Sequence, residues 1–585
     1  MKLLGAPAVL AGVLAAGVLA APPVPPAAET AGEPVVMATG PEPEKRWEKV
    51  TVEFPTGGSV TGTSRFGVEH FNTIPYAEPP VGQLRFRPPQ RVAGPTGHVD
   101  GTGISPSCPQ MIVSSESRDV ISRVGNTLLE LPFLRELEGQ EDCLTLDVQR
   151  PAGTQAGDKL PVLFYIFGGA FEFGGSSPYD ATSLMATAVG QDQPFVLVTI
   201  NHRVAGFGFM PGREVLADGG ANVGLLDQRA ALEWVADNIA ALGGDPERVT
   251  TWGVSSGAIS VLDQMLLFGG NATYRGRPLF RGVIVSSGGA APAERIDGPK
   301  GQAVYDAVVR AGGCAGAGDT LACLRRLDYP ALLRATNAVP GFFSYSSVAL
   351  SYLPRPDGRV LEDSPERMLA AGRFHPAPLI IGNQEDEGTM VALFQTNLTT
   401  AADLAAYLSD VFFPTAPRAK LRELVDLYEP GLLQGAPFRT GPLNELYPGF
   451  KRVAAVLGDL TFTLGRRALL RDATRARPTM PVWSYLASYN HGLPFIGTFH
   501  AADVLQVFFG LPPNHAMRSA RTYYLNFLYN QDPNRGVAGL ARWPDWRDGR
   551  QLLWFRSAFA NDLIADDFRS GASDWLEKNA HLLHM

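Results

Sequence analysis

From Pro161 onward the chain alternates apolar runs of strand length with Gly-rich or polar turns and helical stretches. A parallel strand covered on both faces must be apolar throughout, and it needs a crossover to return to the same sheet, so this alternation reads as βαβ units. The runs are Val162 to Phe167, Phe195 to Ile200, Val249 to Trp252, Val283 to Val285, Leu379 to Ile381 and Val482 to Leu486, each bounded by Gly, Pro or Asn. Between the second and third, Leu225, Leu232, Val235 and Ile239 recur at helical spacing within Leu225 to Leu242, and Gly243-Gly244 supplies the stop. The expected fold class is α/β, with a large, mostly parallel central sheet flanked by helices. No tandem repeat and no interior linker rich in Pro, Gly and Ser divides the 585 residues, so 44–585 reads as one domain.

The start of the chain has a different character. Lys2, an apolar stretch from Leu3 to Leu19 and the small residues ending at Ala20 have the layout of a secretory signal peptide over 1–20. That stretch is short for a membrane anchor and dominated by Ala and Gly, and no later segment is long enough to span a bilayer. Residues 21–43, rich in Pro, Ala and Glu, have little to bury and read as a disordered leader. In an exported, extracellular chain the four cysteines suggest two disulfides, and spacing favours Cys108 with Cys143 and Cys314 with Cys323. Asn271-Ala272-Thr273 and Asn397-Leu398-Thr399 are candidate glycosylation sites. With a net charge of -8, the chain is unsuited to holding a polyanion, which excludes nucleic acid as a partner.

Gly253-Val254-Ser255-Ser256-Gly257 fits a G-x-S-x-G elbow, in which a serine sits on a strained turn between strand and helix. With 63 glycines the pentapeptide would arise by chance in roughly four of ten such chains, so context decides. Here Val249 to Trp252 supplies the strand and Ala258 to Leu262 opens an apolar helix, whose positive end would face an anion formed at the serine. Phe167-Gly168-Gly169-Ala170-Phe171 also follows a buried strand, as a loop presenting backbone N–H groups would, so Gly169, Ala170 and Ser256 are the candidate oxyanion-hole donors. A serine hydroxyl needs a base, and the base needs an acid to orient it. Of nine histidines His500 stands out, following Gly497-Thr498-Phe499 in the C-terminal part of the chain where the order serine, acid, histidine requires it; His202 and His491 are its rivals. For the acid, Glu385, Asp386 and Glu387 all emerge after the strand ending at Ile381, and spacing does not separate Glu387 from Asp386. Neither cysteines nor histidines show zinc-type spacing, so no metal or cofactor is expected.

From Val52 to Leu576 the chain resembles the type-B carboxylesterases and cholinesterase-like hydrolases, and within them the fungal secreted lipases and sterol esterases. The resemblance rests on Tyr76-Ala77-Glu78-Pro79-Pro80 with Leu84-Arg85-Phe86, Glu141-Asp142-Cys143-Leu144-Thr145-Leu146, the Phe167 loop, Gly243-Gly244-Asp245-Pro246, the elbow, Asp386-Glu387-Gly388 and Gly497-Thr498-Phe499-His500, in that order. It implies an α/β-hydrolase fold, Glu387 as the acid, His500 as the base, and both disulfides as paired above. It also implies a pairing of Arg85 with Glu141 or Asp142, and a lid over about 109–142. Val120, Ile121, Val124 and Leu128 form a helical apolar face there, followed by Leu131, Phe133 and Leu134 and flanked by Glu116, Arg118 and Asp119. Two positions depart from the family. Val254 stands where most relatives have glutamate, and Ser256 where they have alanine. The function implied is secreted serine-dependent hydrolysis of carboxylic esters, of long-chain acylglycerols or sterols, with transient adsorption to a lipid surface. A short-chain carboxylesterase is the alternative, and a non-catalytic recognition protein a further one.

Overall fold

A computed structural model describes residues 47–55, 57–92, 96–112, 139–429 and 433–585. The signal peptide, the leader and the apolar lid residues Val120 to Leu134 lie outside the described residues.

A 13-stranded sheet organises the chain. Its strands are β1 (Glu48–Glu53), β2 (Ser59–Arg65), β3 (Val68–Pro75), β4 (His98–Asp100), β5 (Thr145–Pro151), β6 (Leu160–Ile166), β7 (Val196–Ile200) and β8 (Gly244–Val254). A separate two-stranded hairpin of β9 (Thr273–Tyr274) and β10 (Arg277–Pro278) precedes β11 (Gly282–Ser286), β12 (Leu379–Gln384), β13 (Val482–Ala487), β14 (Gln551–Phe555) and β15 (Asp562–Ala565), which complete the large sheet. The order is β1-β2-β3-β5-β7-β6-β8-β11-β12-β13-β14-β15, with β4 beside β2. Every pairing from β7 to β14 is parallel. The flanks β1-β2-β3-β5-β7 and β14-β15 are antiparallel. All the apolar runs read from the sequence are strands, and they stand side by side as β7-β6-β8-β11-β12-β13.

Alternate residues of these strands feed two cores. Val162, Phe164 and Ile166 of β6 join Val283, Val285, Leu379 and Ile381 on one face. Leu163 and Tyr165 join Trp252, Ile284, Ile380 and Tyr485 on the other, where Trp252 stacks on Phe508 at 4.7 Å. The helix between β7 and β8 spans Val223–Asn238, tightens into a 3₁₀ turn at Ile239–Leu242, and stops at Gly243, whose φ of 83° is the left-handed conformation a helix terminus asks for. A third core gathers Leu404, Leu421, Leu424, Phe450, Val453 and Phe462 from helical segments between β12 and β13.

Both disulfides form as spacing suggested, Cys108–Cys143 with Cα atoms 5.0 Å apart and Cys314–Cys323 with 5.8 Å. At the base of the first, Arg85 grips Glu141 with two bonds of 2.6 Å, which selects Glu141 over Asp142. No helix among the described residues is long and apolar enough to cross a membrane. Asn271 and Asn397 are both exposed.

Candidate active site

Strand β8 ends at Val254 and the helix Ser256–Gly270 begins two residues later, so Ser255 alone makes the turn, at φ 60° and ψ −128°. A non-glycine residue there costs on the order of 1–3 kcal/mol, and the surroundings must hold it. They do so through contacts that leave no room for side chains. A Cβ on Gly253 would lie 2.2 Å from the Gly257 carbonyl oxygen, and one on Gly257 would lie 2.1 Å from that of Ile166. The Ser255 N–H donates to the Ser286 carbonyl at 3.0 Å, which ties the elbow to the end of β11. Val254 is buried in the second core, so an apolar side chain stands directly before the serine.

The glycine-rich loop lies against this serine. A Cβ on Gly168 would come within 2.9 Å of the Ser255 Cβ. Gly169, Ala170 and Phe171 then take positive φ values of 134°, 57° and 59°, and the Gly169 carbonyl closes the turn by accepting N–H bonds from Glu172 and Phe173 at 2.9 and 3.0 Å. The N–H groups of Gly169 and Ala170 donate to no backbone carbonyl among the described residues. That of Ser256 is the first in its helix, where an N–H group has no carbonyl one turn earlier in the helix to donate to.

The candidate acid and base meet at the ends of the neighbouring strands. Glu387, 1% exposed, binds His500 Nδ1 through Oε2 at 2.5 Å, while its Oε1 accepts the Gln384 N–H at 2.8 Å and the Asn383 amide at 3.3 Å. A carboxylate at this distance favours a proton on Nδ1, which leaves Nε2 as the acceptor of the neutral imidazole. Asp386 turns the other way and accepts the backbone N–H groups of Phe438 and Thr498, both at 2.8 Å. Glu385 points outward to Arg439. The carboxylates that spacing left unresolved thus have distinct partners, and only Glu387 reaches the histidine. Phe462 packs its ring 4.5 Å from that of His500.

The rivals of His500 lie elsewhere. His202 is buried beneath the loop, stacked on Phe167 at 4.5 Å, and burial pushes its imidazole down to about 4, which makes it a neutral packing residue. His491 is exposed. A group missed in the sequence is Asp503, fully enclosed three residues beyond His500. It accepts from the Tyr485 hydroxyl at 3.2 Å, and the same hydroxyl binds Ser286 Oγ at 3.2 Å, on the residue whose carbonyl holds Ser255. Burial first, and then the charge of Glu387, push its carboxyl up to about 6. A lone aspartate in the apolar stretch Ala501 to Phe509 was the signal for it.

A strand–serine–helix turn, an amide-bearing loop and a histidine–carboxylate pair, all at the C-terminal edge of a mostly parallel sheet, are the α/β-hydrolase fold as serine hydrolases use it. The model of the carboxylesterase family matches residues 48–558. The chain belongs to the carboxylesterase family and is a carboxylic ester hydrolase. It is 55% identical over 549 residues to a secreted triacylglycerol lipase of Gibberella zeae, covering 94% of this chain and 93% of that one. It is 51% identical to secreted lipase 1 of Botryotinia fuckeliana, over 91% and 92% of the two chains. Among solved structures it is similar to Aspergillus niger EstA, with a TM-score of 0.76 at 26% identity over 92% of this chain and 99% of that one.

Proposed function

We propose that the chain is a secreted lipase, with residues 44–585 as its catalytic domain behind a signal peptide at 1–20 and a leader at 21–43. Its lid spans about 109–142, and Asn271 and Asn397 are its glycan acceptors. Ser255 Oγ attacks the ester carbonyl while His500 Nε2 takes its proton, and Glu387 steadies the imidazolium. The oxyanion meets the N–H groups of Gly169, Ala170 and Ser256, each worth about 3 kcal/mol in the transition state. His500 returns the proton to the leaving alcohol, then activates the water that releases the fatty acid and frees Ser255.

The observation that carries a long-chain substrate is the 55% identity, over 94% of this chain, to a secreted triacylglycerol lipase of Gibberella zeae. The names of the Gibberella and Botryotinia relatives agree with this reading and with export.

Turnover of glycerol and sterol esters from butyrate through palmitate tests it. We expect kcat/KM to hold or rise with chain length, whereas a steep fall beyond butyrate would make the protein a short-chain carboxylesterase. Ser255→Ala should lose on the order of 10⁴–10⁶-fold in kcat. Equal turnover by wild type and variant would remove the mechanism and leave the recognition-protein alternative.

A further inference from the structure

Glu172 follows directly on the loop that presents Gly169 and Ala170, yet its carboxyl group has no part in the chemistry described above. It is 1% exposed and reaches a segment far away in sequence, Oε2 accepting the backbone N–H of Phe342 at 2.7 Å. Its own backbone is fastened on two sides. The Glu172 N–H donates to the Gly169 carbonyl at 2.9 Å, and the Glu172 carbonyl accepts the Met111 N–H at 2.8 Å, just beyond Cys108. Gly174 is held to the same segment, exchanging bonds of 2.7 and 2.9 Å with the Gln110 amide. Next to it, Phe173 stacks on Phe343 at 5.4 Å and 19°, and Phe343 meets Phe394 edge-on at 6.2 Å.

We propose that Glu172 is a positioning residue for the oxyanion hole: by bridging the turn at Gly169–Phe173 to the backbone at residue 342, its carboxyl group sets where the Gly169 and Ala170 N–H groups point. This rests on the assignment of those N–H groups to the oxyanion made above. The turn consists of three consecutive residues at positive φ, two of them not glycine, so it is not a shape the loop keeps unaided. Backbone bonds restrain its start and its end, and the Glu172–Phe342 bond is the side-chain hydrogen bond that joins the loop to the 341–343 segment, beside the packing of Phe173 on Phe342 and Phe343. Hydrogen-bond donors aimed at a developing charge act through geometry, and a displacement of about 1 Å can cost roughly 100-fold in rate.

The chemistry of the niche fits a neutral acid. Burial pushes the Glu172 carboxyl up to about 8. Among the described residues, the titratable group facing it is the buried Tyr352, whose hydroxyl donates to the Thr336 carbonyl at 2.6 Å. Glu172 Oε1 has no hydrogen-bond partner among the described residues, which a protonated carboxyl tolerates better than a carboxylate does. A glutamine keeps the carbonyl oxygen that accepts from Phe342 and carries no charge, so it should replace Glu172; an alanine removes the bridge.

Three measurements on the full chain test this: kcat and KM for an ester substrate, the affinity for an aryl boronic acid, which forms a tetrahedral anion on the nucleophilic serine, and the thermal midpoint. For Glu172→Ala we expect kcat and boronate affinity to fall together by about 10- to 100-fold with KM changed less than about threefold. Glu172→Gln should restore both to within about threefold of wild type. A Glu172→Ala enzyme that keeps its kcat, or loses thermal stability while boronate affinity holds, overturns the proposal. So does a Glu172→Gln enzyme as impaired as the alanine variant. Because the boronate reports only on the serine and the charge it develops, a wrong assignment of Ser255 is recognised separately, by boronate that binds Ser255→Ala as well as wild type.

Discussion

Asp386 and Glu387 leave the same turn after β12 in different directions, and direction decides what each can reach. The shorter side chain ends on two backbone N–H groups, one of them on Thr498 in the segment that carries His500; the longer one ends on the imidazole itself. Glu387→Gln should therefore lower kcat by about 10²–10⁴-fold, because an amide no longer stabilises the imidazolium, while the denaturation midpoint shifts little. Asp386→Ala leaves two donors without an acceptor, the buried Thr498 N–H at a cost of about 1–3 kcal/mol and the part-buried Phe438 N–H at less, and should be read mainly as a lower midpoint in urea, with a smaller loss of kcat than Glu387→Gln. Nothing in the order of residues 385–387 foretold this division, since adjacent acids have equal access to a strand's end; the partner loop, more than a hundred residues on, assigns them. Glu172 adds a pH dependence. Its folded carboxyl, raised to about 8 by burial, holds a proton that the unfolded chain releases near 4.5, so the favourable contribution is complete below that value and is lost as pH climbs to 8. The thermal midpoint of Glu172→Gln should rise relative to wild type from about pH 5 to about pH 8, then keep a constant lead; a gap that does not change with pH would contradict this.

At the scale of elements, the elbow depends on close approach between backbones. Gly257→Ala places a methyl group 2.1 Å from the Ile166 carbonyl oxygen and 2.5 Å from that of Phe167, both backbone atoms that cannot swing aside. We expect a loss of about 1–3 kcal/mol in denaturant and a lower kcat, because relieving the clash moves Ser255 away from the loop at Gly168. An unchanged midpoint and rate would mean the turn is softer than it looks. The central strands were legible because a strand covered on both faces announces itself as an unbroken apolar run, as Leu163 to Ile166 and Leu379 to Ile381 do. The antiparallel flanks gave no such signal. In β1 the sequence Glu48-Lys49-Val50-Thr51-Val52-Glu53 is half exposed and alternates with charge, and β15 is four residues long. Their places depend on pairing partners rather than on their own composition.

Across the whole molecule, the cross-links act on the unfolded chain. The loops they close differ in length, 35 residues for Cys108–Cys143 and 9 for Cys314–Cys323. In the chain-entropy account, replacing the first pair by alanine should cost about 4 kcal/mol and the second about 2.5 kcal/mol, measured as shifts in urea unfolding. The order of the two losses is the test, and a larger loss for the shorter loop would point to a native-state role for Cys314–Cys323. One consequence of the strand order concerns amide hydrogen exchange. The elbow rises from β8, which has β7-β6 on one side and β11-β12 on the other, whereas β1 and β15 stand at the two rims. Deuterium should enter the rims through local fraying, and the Val249–Gly253 amides only when the protein opens as a whole. Mild denaturant should thus erode the margins of the enzyme while esterolysis persists, and activity should vanish only at the final cooperative melt.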